Sequence, residues 1–290
     1  MRMPTIQWYP GHMAKAKRLI KEKLPLVDIV FELRDARIPL SSANPLLAEL
    51  IQTKPRLILL NKADLADPRE TRKFLEFYDR LGFQALAINS LTENPLIPIL
   101  DKAKKSLASN REKEAKKGMR ERPIRALVVG IPNVGKSQLI NRLVGQVKAK
   151  TGDRPGVTKA QTFLKAGNGL ELIDNPGVLW PKFESAWVGI HLALVGSIKD
   201  ELLPLDEVVI QGLRWMINRY PERLKERYDL VVKAEDDPIA LLDAIGQNRG
   251  CLLSGGQIDY ERVYRLFLHD LRHHQFGPLS LETVDDARSI

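Results

Sequence analysis

A single cysteine, Cys251, occurs in the 290 residues. An internal disulfide is therefore excluded, and so is a zinc site built on several cysteines. Disulfides mark oxidising compartments, so one cysteine reads as a cytosolic chain. No apolar run approaches the ~20 residues that a membrane span needs. The segment from Met1 to Lys17 has no apolar signal core, and no repeat of solenoid type is present. What remains is ordinary globular composition, 44% apolar and 28% charged, which excludes wholesale disorder. At ~100–200 residues per domain the length allows about two domains.

The formal net charge is +9, and its distribution is uneven. Residues 1–23 hold six basic side chains against one acidic, and residues 102–125 hold ten against three. The rest of the chain is slightly acidic. A localised excess of this kind points to a polyanionic partner, with nucleic acid or a phosphate-rich surface first in line. Solubility alone is the plain alternative, and a smaller charge would serve it.

Short apolar runs alternate with helical periodicity over about residues 24–178. Runs at 26–33, 56–60, 85–88, 125–129, 161–166 and 170–173 read as strands, the last two as a hairpin around Gly167-Asn168-Gly169. Between them, Glu70 to Leu81 sets Phe74, Leu75, Tyr78 and Leu81 on one side, and Ser137 to Leu143 is also helical. A polar, basic stretch over 102–122 reads as an exposed helix or a linker. The expected fold is α/β: a mostly parallel six-stranded sheet over residues 1–179, with a basic N-terminal arm. An all-α domain follows over 180–290, with helices at 186–198, 205–220, 238–245 and 260–274.

Gly130-Ile131-Pro132-Asn133-Val134-Gly135-Lys136-Ser137 matches G-x-x-x-x-G-K-[ST] and lies between a strand and a helix. A triphosphate needs inward N–H groups and no obstructing side chains, which the two glycines permit. Asn133, Val134, Gly135, Lys136, Ser137 and Gln138 are expected around the phosphates. Lys136 would reach the β- and γ-phosphates, and Ser137 would bind Mg²⁺. Asn61-Lys62-Ala63-Asp64 selects the base. An acceptor-only carboxylate at Asp64 matches guanine N1–H and its exocyclic amine, and adenine leaves it unsatisfied. Asn61 can tie this loop to the phosphate loop, and the Lys62 stem can lie on the purine. Asn89-Ser90 would offer a backbone N–H to the guanine carbonyl. Asp174-Asn175-Pro176-Gly177 follows a strand; Asp174 would hold Mg²⁺ through water, and Gly177 would contact the γ-phosphate. Thr158 is the candidate for a second hydroxyl on Mg²⁺.

The order of these pieces is rotated. In ordinary small GTPases the phosphate loop comes first; here Asn61–Asp64 precedes it. The loop ending at Gly177 then runs directly into the helical region. A sheet tolerates such a cut because the contacts are preserved. With this order go Trp8-Tyr9-Pro10-Gly11-His12-Met13, Asp35-Ala36-Arg37-Ile38-Pro39 and the run Pro221 to Tyr228. On these residues the chain resembles the bacterial circularly permuted GTPases that act in late assembly of the large (50S) ribosomal subunit, over nearly its whole length. The resemblance implies a P-loop GTPase domain, GTP and GDP as ligands with Mg²⁺, and hydrolysis stimulated by the ribosomal particle. It also implies contact with ribosomal RNA and proteins, a cytoplasmic location away from membranes, and a monomer off the ribosome. Gln138 and Asn175 depart from the commoner threonines, and neither side chain is needed for these roles.

Many GTPases place a water-orienting Gln after D-x-x-G. Here Val178 stands there, so unaided hydrolysis should be slow. Asn133 matches the residue that helps hold K⁺ in potassium-activated GTPases, or it is a loop-stabilising amide. His12 is a candidate catalytic group through the family resemblance, or an RNA or structural contact. Arg262, Arg265, Arg272 and Lys225 could form a basic face, and His269, His273 and His274 read as exposed rather than metal-binding. An RNA-binding module using GTP as a structural ligand is the alternative function. The permuted GTPase of the small subunit is rejected, because its zinc module needs more than one cysteine.

Overall fold

The computed structural model describes residues 12–52, 54–145, 163–180, 183 and 185–288. The chain divides into two compact units. One takes the described residues up to 180 together with residues 282–288; the other takes residues 183 and 185–281.

The first unit is built on six strands: β1 Ile29–Asp35, β2 Arg56–Asn61, β3 Gln84–Ile88, β4 Ile124–Gly130, β5 Leu164–Ala166 and β6 Leu170–Ile173. Their order in the sheet is β3-β2-β1-β4-β6-β5, and only β5 is antiparallel. Every residue of β1 is buried, as is β2 beyond Arg56, because helices cover both faces of the central sheet. Five helices belong here: α1 His12–Lys23, α2 Pro45–Leu50, α3 Pro68–Arg80, α4 Leu96–Lys116 and α5 Lys136–Val144. Because the strands are parallel, the C-terminal ends of β1 to β4 and β6 open their loops on one edge. The strand order reverses between β1 and β4, which places the loop after β4 at the switch point.

Local chemistry explains the boundaries. Asp67 caps α3 by accepting from the Arg69 N–H at 2.8 Å, with Pro68 in its first turn. Phe74 and Tyr78 are buried, but Leu81 lies past the last turn and is 55% exposed, so it does not join the apolar side. The segment read as a helix or linker is a long helix, and α4 buries Ile99, Ala103 and Leu107. Part of its basic excess is structural. Arg122 clasps Asp28 through two hydrogen bonds at 2.7 and 2.6 Å, and Arg125 reaches Glu171 at 2.9 Å. Those guanidinium groups are committed within the fold.

The second unit is helical: α6 Ala186–Leu194, α7 Leu205–Arg219, α8 Pro221–Tyr228, α9 Pro238–Asn248 and α10 Tyr260–Arg272. The helix expected to reach Ile198 stops at Leu194, where the chain turns through Gly196 at φ +78°. Arg272 donates to the Leu194 and Ala193 carbonyls at 3.1 and 2.8 Å and pairs with Asp200 at 2.8 Å. It therefore closes the end of α6 instead of contributing to a basic face. Lys225 pairs with Glu222 at 3.3 Å within its own helix. His269 and His273 stack at 4.3 Å on an exposed surface.

Candidate functional site

The base loop is built from the end of β2. Asn61 is fully buried, and its amide works in both directions. Its Nδ2 donates to the Val134 carbonyl at 2.7 Å, and its Oδ1 accepts from the Ser90 N–H at 3.2 Å. One side chain thus joins the Asn61–Asp64 loop, the Asn89–Ser90 loop and the phosphate loop. Gly135 sits where this amide passes: a Cβ there would run into Asn61 Nδ2, and φ is +102°. Lys62 takes a left-handed backbone at φ +60°, followed by a tight turn at Ala63–Leu65 that leaves Asp64 exposed. The Asn89 side chain accepts from the Leu91 N–H at 3.0 Å, and Arg142 donates to the Ser90 carbonyl at 3.4 Å.

The phosphate loop leaves β4 at Gly130 and enters α5 at Lys136. Asn133 is at φ +57°, Val134 is buried, and Ser137 and Gln138 lie in the first turn of α5. Several N–H groups therefore precede a helix N-terminus. Lys136 is only 8% exposed and donates to the Ile131 carbonyl at 2.7 Å. Burial pushes its ammonium down to about 8, partly offset by Asp174.

The third piece closes on the second. A Cβ on Gly177 would lie 2.8 Å from the backbone of Pro132 and 2.9 Å from Lys136 Nζ. Only glycine allows this approach of the two loops. The Val178 N–H donates to the Gly130 carbonyl at 3.2 Å, which fixes the same junction. Asp174 follows β6, and burial pushes its carboxyl above the usual range. Its Oδ1 is buried without a hydrogen-bond partner. An unsatisfied carboxylate oxygen beside a phosphate loop fits a hydrated divalent cation, and the glycine-lined loop fits phosphates.

The fold thus gathers Asn61, Lys62, Ala63, Asp64, Asn89, Ser90, the 130–138 loop, Asp174 and Gly177 on one edge of the sheet. Thr158 lies outside the described residues. His12 opens α1, and its side chain also lies outside them. Four residues of this neighbourhood were given no place in the site by the sequence. Lys23, counted with the basic arm, donates to the Asp174 carbonyl at 2.7 Å and to Asn175 Oδ1 at 3.3 Å. Asp35 pairs with the Lys62 ammonium at 3.1 Å, with Arg37 held beside it at 2.8 Å. Burial opposes the Asp35 charge, but Arg37 and Lys62 outweigh it and hold the carboxyl well below the usual carboxylate range. Asn44 and Glu282 complete the set through backbone contacts with neighbouring loops. Only Asp35 had a flag, the Asp-Ala-Arg-Ile-Pro run, and that run named no contact.

The family described as "50S ribosome-binding GTPase" matches residues 125–242. Ribosome biogenesis GTPase A of Bacillus pumilus is 52% identical, over 96% of this chain and 98% of its own. The protein of that name from Thermotoga maritima is 32% identical, over 98% and 97%. Mitochondrial ribosome-associated GTPase 1 of Bos taurus is also 32% identical, over 95% of this chain and 88% of its own. Among solved structures, GDP-bound T. maritima YlqF aligns with a TM-score of 0.62 at 28% identity, covering 93% of this chain and all of that one. GNP-bound YlqF from the same organism gives 0.61 at 29%. The sheet order, the rotated motifs and these likenesses agree: the chain is a GTP-hydrolysing enzyme with a circularly permuted GTPase domain and belongs to the ribosome biogenesis GTPase A family.

Proposed function

We propose that this GTPase is a cytoplasmic assembly factor for the large ribosomal subunit, and that the ribosomal particle stimulates its hydrolysis. The supporting observation at the nucleotide is the Asn61 amide, which locks the base loops to the phosphate loop. In this reading Asp64 accepts from guanine N1–H and the exocyclic amine, with the Lys62 stem on the ring and the Ser90 N–H on the carbonyl. Residues 133–138 hold the phosphates, Lys136 supplies the positive charge, and the Gly177 N–H meets the γ-phosphate. Ser137, Thr158 and, through water, Asp174 would hold Mg²⁺, which would supply neutralising charge at the phosphate oxygens.

Val178 is 1% exposed and apolar, so it cannot orient the attacking water. Slow unaided hydrolysis follows, with help assigned to His12, to a K⁺ ion near Asn133, or to both. The ribosomal partner is supported by the names of the relatives and by the chemistry of the helical unit. A cavity of about 340 Å³ there is lined by Arg227, Arg249, Arg262 and Arg265, with Cys251 and Leu266. Among the described residues no carboxylate lines it. Asp270 and Glu261 pair with Arg227 and Arg265. Guanidinium groups clustered in this way suit the phosphates of RNA.

GTP turnover measured with purified large subunits, small subunits or neither, each in K⁺ and in Na⁺, tests the reading. Large subunits alone should raise the rate at least tenfold, more so in K⁺, and His12→Ala should lose that stimulation while keeping nucleotide affinity. A slow rate indifferent to both particles would instead favour an RNA-binding module with GTP as a structural ligand.

A further inference from the structure

The loop over residues 36–44, which follows β1, has no nucleotide contact in the scheme above, yet it is anchored throughout. At its start the Ala36 N–H donates to the Asn61 carbonyl at 2.9 Å. The Asp35 carboxylate accepts from Arg37 Nε and Nη2 at 2.9 and 2.8 Å, and it holds Lys62 Nζ at 3.1 Å. In the middle, Ser42 Oγ donates to the Ile38 carbonyl at 2.6 Å and accepts from the Asp35 N–H at 3.1 Å. Arg34 and Tyr78 both donate to the Pro39 carbonyl, at 3.4 and 3.3 Å.

The remaining anchor comes from the end of the chain. Glu282 is 3% exposed; its Oε2 accepts from the Leu40 N–H at 2.6 Å and its Oε1 from the Ser41 N–H at 2.9 Å. A carboxylate spanning two successive N–H groups is a stiff, charge-assisted clasp. Apolar packing repeats the link independently. Val284 and Leu40 pack on a buried cluster that includes Ala36, Leu60 and Phe74, and Ala63 of the base loop packs on the same cluster. The tail and the base loop therefore share one polar chain and one apolar floor.

Resting on the assignment of Lys62 and Asp64 to guanine, we propose that Glu282 and Val284 are positioning residues of the guanine site. They hold the 36–44 loop in place; that loop fixes the Lys62 ammonium through Asp35 and the Asn61 carbonyl through the Ala36 N–H, and so sets where the Asn61–Asp64 turn presents the Asp64 carboxylate to the exocyclic amine. Lys62 has a left-handed backbone and a side chain with many rotamers, so its stem makes a flat platform only if its far end is fixed. The same loop also holds the chain leaving the γ-phosphate loop, because Asn44 Nδ2 donates to the Val178 carbonyl at 2.7 Å. Both segments that join this unit to the helical one are thus secured to the loop that supports the base site.

The test compares GDP with inosine diphosphate, which lacks the exocyclic amine, on the full-length protein. Glu282→Gln places an NH₂ group against two N–H donors, and Val284→Ala thins the apolar floor. In each, GDP affinity should fall five- to tenfold and inosine diphosphate affinity less, so that the preference between them narrows at least threefold. Unchanged GDP affinity overturns the proposal; so do equal losses for both nucleotides, which a merely structural role would give. Val284→Ala removes only two methyl groups from a partly buried side chain, so the question stays open to test if Glu282→Gln fails to fold. Asp64→Asn serves as the separate check, since its amide should favour xanthosine diphosphate, whose 2-oxo group accepts where the guanine amine donates. If Asp64→Asn leaves GDP preference intact, the base assignment itself fails, whatever Glu282 does.

Discussion

Lys136 carries a conflict that the phosphate loop requires. Its ammonium is buried, and that burial pulls its titration from 10.5 to about 8. The unfolded chain keeps the higher value, so between about pH 8 and 10.5 it binds more protons than the folded one. Folding stability from this group therefore rises with pH over that window, while a triphosphate needs the charged form. GTP affinity should accordingly fall as pH passes 8, to roughly a tenth at pH 9 of its value at pH 7. Equilibrium titration with a fluorescent GTP analogue across that range checks this, and an affinity flat to pH 9 would contradict it. Asp174 has the opposite displacement, its carboxyl raised by burial.

Loops, rather than single side chains, define the reacting geometry. The Gly177 loop reaches Lys136 only because no Cβ intervenes. Gly177→Ala would press a methyl group onto the Pro132 backbone, which cannot move aside as a flexible side chain would. The two loops should separate, with GTP affinity falling at least tenfold and GDP affinity falling less. Paired binding isotherms for GTP and GDP decide it. Elements outside the motifs were less readable in advance. α4 hid its role because its fully buried residues are just Ile99, Ala103 and Leu107, spread along a long helix that turns polar and basic. The surplus of Lys and Arg around them masks the apolar stripe. Lys23 was unreadable for a similar reason: in a basic run, nothing distinguishes the lysine that turns inward to Asp174.

Across the molecule, charge is divided between structure and surface. Arg122, Arg125, Arg227 and Arg272 are held by carboxylates of their own unit. Arg249 lies over the Tyr228 ring and Arg262 lines the same cavity, and these two offer their charge outward. The double variant Arg249→Gln/Arg262→Gln should weaken binding to large subunits about tenfold. It should also flatten the salt dependence by one to two units of slope, the size expected when about two phosphate contacts are lost. GTP hydrolysis in the absence of ribosomes should stay unchanged. Cosedimentation over a salt series gives both quantities, and an unaltered slope would remove the cavity from the RNA-facing surface.

The nucleotide motifs were legible in the chain because phosphate and guanine recognition demand particular residue types at fixed short spacings. The α/β alternation and the helical region were legible for the same local reason, since burial imposes its period on neighbouring residues. Rotating the motif order left every one of those local patterns intact. The contacts between distant segments had no such period. Asn61 meeting Val134, Gly177 meeting Pro132, and Glu282 returning to Leu40 depend on which strands lie side by side, a property of the sheet order. Residue identities thus marked out the guanine-nucleotide motifs of a GTPase, while the packing of strands far apart in the chain decided which contacts hold those loops together.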